Sequence, residues 1–282
     1  MNFARELWLR IETLHAVTYF GEETDAAGRD SGLSGFWMGY FGFRAAPMGR
    51  VGAAVVEAMF FNFSPAFVQR RVPEVWQHAA PDVLVDARAA AAAATLVRLV
   101  PAIADTAARA SDDLERAIDR CSPAGRALFA ANRRLPLPAD PVAALWQRCT
   151  SLREHRGDGH VAALTAAGLD GIEAHVLIAL EQGNSPGDLQ RTRGWTADDW
   201  AAAVERCRSR QLLDAAGTLT EAGVALRRQV EAVTDRLALA PWDGIGERDR
   251  ERLLATLDPA ASAVARSGLI RYPNPIGLPS IA

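Results

Sequence analysis

The sequence predicts a mainly α-helical protein in two parts, an N-terminal helical domain over residues 1–135 and a C-terminal winged helix over residues 136–282 with a short two-stranded wing. Three observations carry this. Apolar residues recur at three-and-four spacing through most of the chain. Leu135-Pro136-Leu137-Pro138 resists helix and marks a linker. Beyond Leu169, three short helices with cap signals precede two apolar stretches around a glycine turn, the order of a helix-turn-helix followed by a wing.

Taken in order, residues 3–20 read as the first helix, with Trp8, Ile11, His15 and Tyr19 on one face, so that His15 and Tyr19 are neighbours. Residues 21–49 are rich in glycine and aromatics and leave their secondary structure undetermined, a buried helix being one option. Pro47 suits the first turn of a helix through Val51, Val55, Met59 and Phe63, apolar nearly all round, which would bury Asn62. Residues 82–109 form an Ala-rich helical stretch, interrupted or ended near Pro101, and Ser122-Pro123 starts another helix. Asp140-Pro141 opens a helix reaching Arg153, after which Gly157-Asp158-Gly159 turns the chain before a helix from His160. Asp170 then caps residues 171–181, Ser185-Pro186 starts a short helix to Gly194, and Thr196 caps residues 197–210. Leu212-Leu213 and Leu219 flank a turn as the wing, and Thr220-Glu221 opens a long helix to Leu237.

All 31 basic residues are Arg, which removes lysine Schiff-base chemistry. The net charge of −3 gives no bulk attraction to nucleic acid or an anionic membrane. Cys121, Cys149 and Cys207 form no CxxC pair, which points to a reducing compartment. Arg5, Glu6 and Arg10 stand where an export signal needs an apolar core, and no run of about 18 uncharged apolar residues appears. A cytoplasmic protein without a membrane span is therefore expected.

The run from Gly171 to Trp242, with Arg210-Gln211-Leu212-Leu213, Leu219-Thr220-Glu221-Ala222-Gly223 and Thr234-Asp235-Arg236-Leu237, resembles a MarR-type winged helix. Together with Gly39-Tyr40-Phe41, Arg44-Ala45-Ala46-Pro47, Asn62-Phe63-Ser64-Pro65 and Arg156-Gly157-Asp158-Gly159-His160, it is similar to the actinobacterial SalK-type family, whose members sit near natural-product genes. The resemblance implies a MarR-like fold and a setting in secondary metabolism. It brings no reaction that can be carried over residue by residue.

A recognition helix needs polar or basic residues on its exposed first turns, because these reach phosphates and base edges. This one begins Thr196-Ala197-Asp198-Asp199-Trp200, presenting two carboxylates, and residues 214–218 of the wing carry no basic group. Arg206, Arg208 and Arg210 lie at the far end of the helix. Only Arg191 and Arg193 favour DNA.

Three groups carry candidate chemistry. His15 with Tyr19 makes an acid/base pair, imidazole titrating near neutrality and the phenol holding or donating a proton, with Arg44 as an anchor. His160 is the second candidate catalytic residue, and His155 and Asp158 join it as ligand-binding candidates around the Gly157-Asp158-Gly159 turn. Trp37, Tyr40, Phe60 and Asn62 complete the ligand-binding set, since glycines among large rings leave space. Each has a plainer alternative: His15 and Tyr19 as satisfied core residues, Asp158 as a helix cap, the aromatics as ordinary core. A histidine among His15, His155 and His160 could also serve as a haem or metal ligand. The reading carried forward is a winged-helix protein that has lost DNA binding and performs acid/base or rearrangement chemistry on a small apolar metabolite. Its competitors are a ligand-responsive MarR-type regulator, acting as a homodimer, and a haem- or metal-dependent enzyme.

Overall fold

A computed structural model describes residues 3–281. These form, in order, α1 (Phe3–His15), α2 (Val17–Phe20), α3 (Glu22–Asp30), α4 (Gly35–Ala45), α5 (Ala53–Phe60), α6 (Pro65–Gln69), α7 (Val72–His78), α8 (Pro81–Leu99), α9 (Ile103–Arg120), α10 (Ala127–Arg133), α11 (Pro141–Ala166), α12 (Gly171–Gln182), α13 (Pro186–Arg193), α14 (Ala197–Ser209), α15 (Glu221–Leu237) and α16 (Glu247–Arg266). The mainly helical class is thus observed.

Local chemistry explains many of the boundaries. Asp170 and Thr196 each form a capping box, exchanging bonds with Glu173 and Asp199 respectively, and Thr220 accepts from the Gly223 N–H at the start of α15. α12 and α13 end on glycines with positive φ, Gly183 and Gly194. Val100 and Pro101 separate α8 from α9.

Several expectations are corrected. The first helix breaks at Ala16, so His15 closes α1 and Tyr19 sits in α2. Residues 21–49 hold two helices, α3 and α4. The helix expected through Phe63 stops at Phe60, because Phe61 takes a positive φ of 57° and turns Asn62 out of it. Residues 122–126 form a turn, and the helix begins only at Ala127. The turn expected at Gly157-Asp158-Gly159 does not exist: α11 runs unbroken for 26 residues through His155, Asp158 and His160. Gly159 is needed for close approach instead, since a Cβ there would lie 2.8 Å from the Arg126 guanidinium and 3.3 Å from Leu237. The two-stranded wing is not formed either. Leu213 and Leu219 make a single antiparallel bridge. Backbone bonds flank it, Asp214 N–H to the Thr218 carbonyl and Thr220 N–H to the Leu212 carbonyl, but α14 ends at Ser209 and α15 begins at Glu221, which keeps the pairing this short.

Three apolar cores organise the chain. The largest joins α1, α8, α9, the first half of α11 and α16, with Trp146 and Leu257 among its buried members. A second, around Phe41, Phe60, Phe63 and Trp76, lies within α4 to α8. The third fills the helix-turn-helix around Trp200, Leu177 and Cys207. α11 packs on α1, α8, α9 and α10 as well as α15, so one long helix runs from the first core to the third.

The helix-turn-helix is held against the second core at very short range. The Ser64 hydroxyl donates to the Gly194 carbonyl (2.7 Å), and Trp195 Nε1 donates to the Asn62 carbonyl (3.0 Å). A Cβ at Gly171 would fall 2.1 Å from the Phe61 carbonyl oxygen, and one at Gly194 only 2.3 Å from the Phe67 ring.

Candidate functional site

A cavity of about 170 Å³ opens between α1 to α4, α8 and α11. Leu33, Phe36 and Phe43 supply apolar wall, and Gly28 and Gly39 supply floor. A Cβ at either glycine would meet no atom closer than 3.8 Å, so the missing side chains leave real space. The polar end holds His15, Tyr19, Tyr40, Arg44, Arg88, Thr150 and Glu154.

The i, i+4 spacing of His15 and Tyr19 survives the break at Ala16, and His15 Nε2 lies 2.9 Å from the Tyr19 hydroxyl. On the other side of the ring, His15 Nδ1 lies 2.9 Å from Thr150 Oγ1. Thr150 donates its own proton to the Trp146 carbonyl (2.9 Å), so its oxygen must accept from His15 Nδ1–H. That fixes the tautomer: Nε2 keeps its lone pair and accepts from Tyr19. The ring is further held by stacking on Trp146, whose indole donates to the His15 carbonyl (3.1 Å). Burial, reinforced by Arg153, drives the His15 pKa well below its usual value, and burial holds the Tyr19 phenol well above its own. Both groups rest neutral.

Tyr40 stands beside them, its ring 5.4 Å from that of Tyr19. Its oxygen accepts from Arg44 Nη1 (3.1 Å), and among the described residues nothing accepts its proton. Arg44 is clamped by Glu154 through Nε (3.1 Å) and Nη2 (3.3 Å). Glu154 also accepts from Arg153 (2.8 Å), which reaches Glu12 (3.3 Å). Burial pushes the Glu154 carboxyl up, but Arg153 and Arg44 outweigh it and hold the group far below the carboxylate range.

Arg88, on the same cavity, has no carboxylate partner. It donates to the Phe43 carbonyl, Asn132 and Gln147, while its Nε has no acceptor. Burial lowers its pKa to about 10. Thr24 Oγ1, also in the lining, is likewise unpartnered. Arg44 and Arg153 therefore share the carboxylates of Glu12 and Glu154, while Arg88 pairs with neither.

The remaining candidates lie elsewhere. Asn62, Phe60 and His160 line a second cavity of about 160 Å³, which Tyr40 and Arg44 separate from the first. His160 donates through Nδ1 to Thr234 Oγ1 (2.9 Å), whose own proton goes to the Val230 carbonyl. Burial takes the His160 pKa to about 4 against the opposing pull of Glu231. His155 is buried edge-on to Phe129 and borders only a small pocket of about 20 Å³. Asp158 does not begin a helix at His160. It reaches across to α10, accepting from the Phe129 N–H (2.9 Å), and burial raises its pKa to about 6. Trp37 borders neither of these two cavities; it lines a separate, more open cleft with Arg70, Arg71 and Glu74 and packs edge-on with Phe63 and Phe67. His15, His155 and His160 thus stand in three different places, and among the described residues no three His, Cys, Asp or Glu side chains converge to hold a metal. Both ring nitrogens of His15 are committed to hydrogen bonds, so it does not fit an axial ligand of haem.

On the helix-turn-helix, the exposed arginines are already paired. Arg206 binds Asp170 (2.7 Å) and Glu173 (3.0 Å), Arg210 binds Glu173 (3.3 Å), Arg208 faces Glu205 (3.5 Å) and Arg191 binds Asp188 (2.7 Å). Arg193 is buried. Asp199 folds back onto Thr196 as half of the capping box, while Asp198 stays exposed on the first turn of α14.

Sequence reasoning missed Arg88, Trp146, Thr150, Arg153 and Glu154. The last four follow one another at helical spacing on α11 and would have been read as one face had that helix been extended past Arg153. Arg88 carried a signal too, as the one charge entering an alanine run.

The model of a helix-turn-helix family matches residues 4–271. Neither a curated protein nor a solved structure matches the chain.

Proposed function

The chain belongs to this helix-turn-helix family, and we propose that it uses the fold as the scaffold of a small-molecule site, not to read DNA. The observation that carries the proposal is the directed hydrogen-bond chain from Tyr19 through His15 and Thr150 to the Trp146 carbonyl, ending on a cavity with apolar walls. Because Tyr19 gives its proton to His15, its oxygen is left to accept from a ligand O–H or acidic C–H. A proton taken up by Tyr19 oxygen is balanced by passage of the phenolic proton to His15 Nε2, and return of that proton to a different ligand atom completes an isomerisation. Tyr40, backed by Arg44, has a free O–H for the oxyanion that develops meanwhile. The reading is an acid/base or rearrangement step on a small, mostly apolar metabolite that carries an oxygen. The resemblance to the SalK-type family supports, as part of the same proposal, a setting in natural-product biosynthesis.

Solvent exchange tests it. Wild-type protein incubated in D2O with small phenols and 1,3-dicarbonyl compounds is expected to bind members of the set and accelerate deuterium incorporation. Tyr19→Phe is expected to lower the accelerated rate by about a hundredfold or more, the usual scale of general acid/base catalysis. Binding without exchange would reduce the site to a receptor, and no binding across the set would contradict the proposal.

The family match itself favours a second reading, a DNA-binding regulator whose affinity responds to the cavity. It is weakened by the paired arginines of α13 and α14 and by Asp198 on the exposed first turn. A nanomolar, sequence-selective complex with DNA flanking its own gene would establish it.

A further inference from the structure

The second cavity lies in the cleft between the N-terminal helices and the helix-turn-helix, bounded by Phe60–Phe63, α11, α12, α13 and the segment 275–277. Its charged lining has one sign. Arg44, Arg153, Arg193 and Arg227 border it with His160 and His175, and no carboxylate does. Arg44, Arg153 and Arg227 are neutralised from behind by Glu154, Glu12 and Glu181. Arg193 is not. It is buried, 6% exposed, and its bonds go to neutral carbonyls, Pro275 (2.6 Å) and Thr192 (3.4 Å). The same lining holds two unsatisfied atoms: Nε2 of His175, itself 4% exposed, and Oδ1 of Asn62.

An unpaired guanidinium with orphaned polar neighbours in a buried cleft is costly unless something completes it. We propose that this cleft is a binding site for a small organic carboxylate, its anionic head on Arg193 and the His175 Nε2–H, its apolar body against Phe60, Phe63 and Leu189. Arg193 is positioned for this by its guanidinium lying 4.8 Å over the Phe63 ring and by the Pro275 carbonyl, which hold its plane. The Asn62 amide, turned about its last torsion, presents N–H donors to the same head. The volume decides the size of the body. About 160 Å³ is close to the roughly 150 Å³ of an apolar cavity that accommodates benzene. Inorganic phosphate would satisfy the charge and leave the apolar wall empty. The proposal does not depend on catalysis at the first cavity, since Arg193, His175 and Ile178 border only the second.

Benzoate is the probe, titrated calorimetrically into the whole protein at low ionic strength beside benzamide and inorganic phosphate. The expected result is saturable benzoate binding at least tenfold tighter than either control. Arg193→Gln and, separately, Ile178→Phe, which narrows the cleft without altering a charge, are each expected to weaken benzoate at least tenfold, while His15→Gln leaves it unchanged. Ile178→Phe keeps the test decisive if Arg193→Gln fails to fold. Equal binding of benzamide or phosphate, benzoate binding lost in His15→Gln but kept in Ile178→Phe, or no benzoate binding at all would overturn the proposal.

Discussion

His15 Nε2 accepts the Tyr19 hydroxyl proton across 2.9 Å, and the direction of that bond is set on the far side of the ring, where Thr150 has already given its own proton to a backbone carbonyl. The expected outcome is that 15N spectra of the protein find His15 as the Nδ1–H tautomer and still neutral below the pH at which a free imidazole takes up a proton, because burial opposes its protonation. Thr150→Val removes the acceptor that orients the ring and should let both tautomers appear. An Nε2–H tautomer in the wild type would reverse the proton path.

The buried histidines set the pH dependence of stability. His155 is driven to about 3 and His160 to about 4, chiefly by burial, and His15 and His175 also lie well below their usual value. Each is neutral when folded and takes a proton when unfolded below about pH 6.5, so the unfolded state binds more protons and stability falls as pH drops. Each contributes a slope of up to about 1.4 kcal/mol per pH unit. Asp158, raised to about 6, has the opposite sign: it stabilises the protonated folded state and loses that contribution as pH rises through about 6. It offsets one histidine between about pH 4 and 6. Urea midpoints are therefore expected to decline from pH 7 to 5, and a flat profile would contradict the burial of these rings.

Glu154 joins Arg44 to Arg153 and is almost fully buried. Glu154→Gln leaves guanidiniums uncompensated and should cost about 3–5 kcal/mol in urea unfolding at an unchanged slope. Removing the exposed Arg191 side chain, paired only with Asp188, should cost less than about 1 kcal/mol.

These groups were unequally legible in the sequence. The His15 and Tyr19 contact follows from spacing alone, and the caps at Asp170, Thr196 and Thr220 from residue type. Gly157 and Gly159 misled, because glycine also serves where another chain comes close, and the Arg126 guanidinium that crowds Gly159 is distant in sequence. The same distance hid Arg44 and Glu154 from each other. The wing failed on length, with one bridge where two strands were expected.

Gly39 lies inside α4, and a Cβ there would meet only the Phe43 ring, at 3.9 Å. Gly39→Ala should stabilise the protein by roughly 0.5–1 kcal/mol through helix propensity, read as a higher urea midpoint. Gly39→Leu should fold and fill the cavity. Loss of folding in both would mean the space is not there.

That pair of properties, a tolerated leucine and a filled cavity, gives the most direct measurement of the central claim: a phenol titration followed on the His15 imidazole 15N resonances. The account predicts a saturable shift of His15 Nε2 in the wild type, as the phenol hydroxyl joins Tyr19 at the end of the chain, and no shift in folded Gly39→Leu. No saturable shift up to the solubility limit, or an equal shift in Gly39→Leu, would contradict a ligand site at His15 and Tyr19.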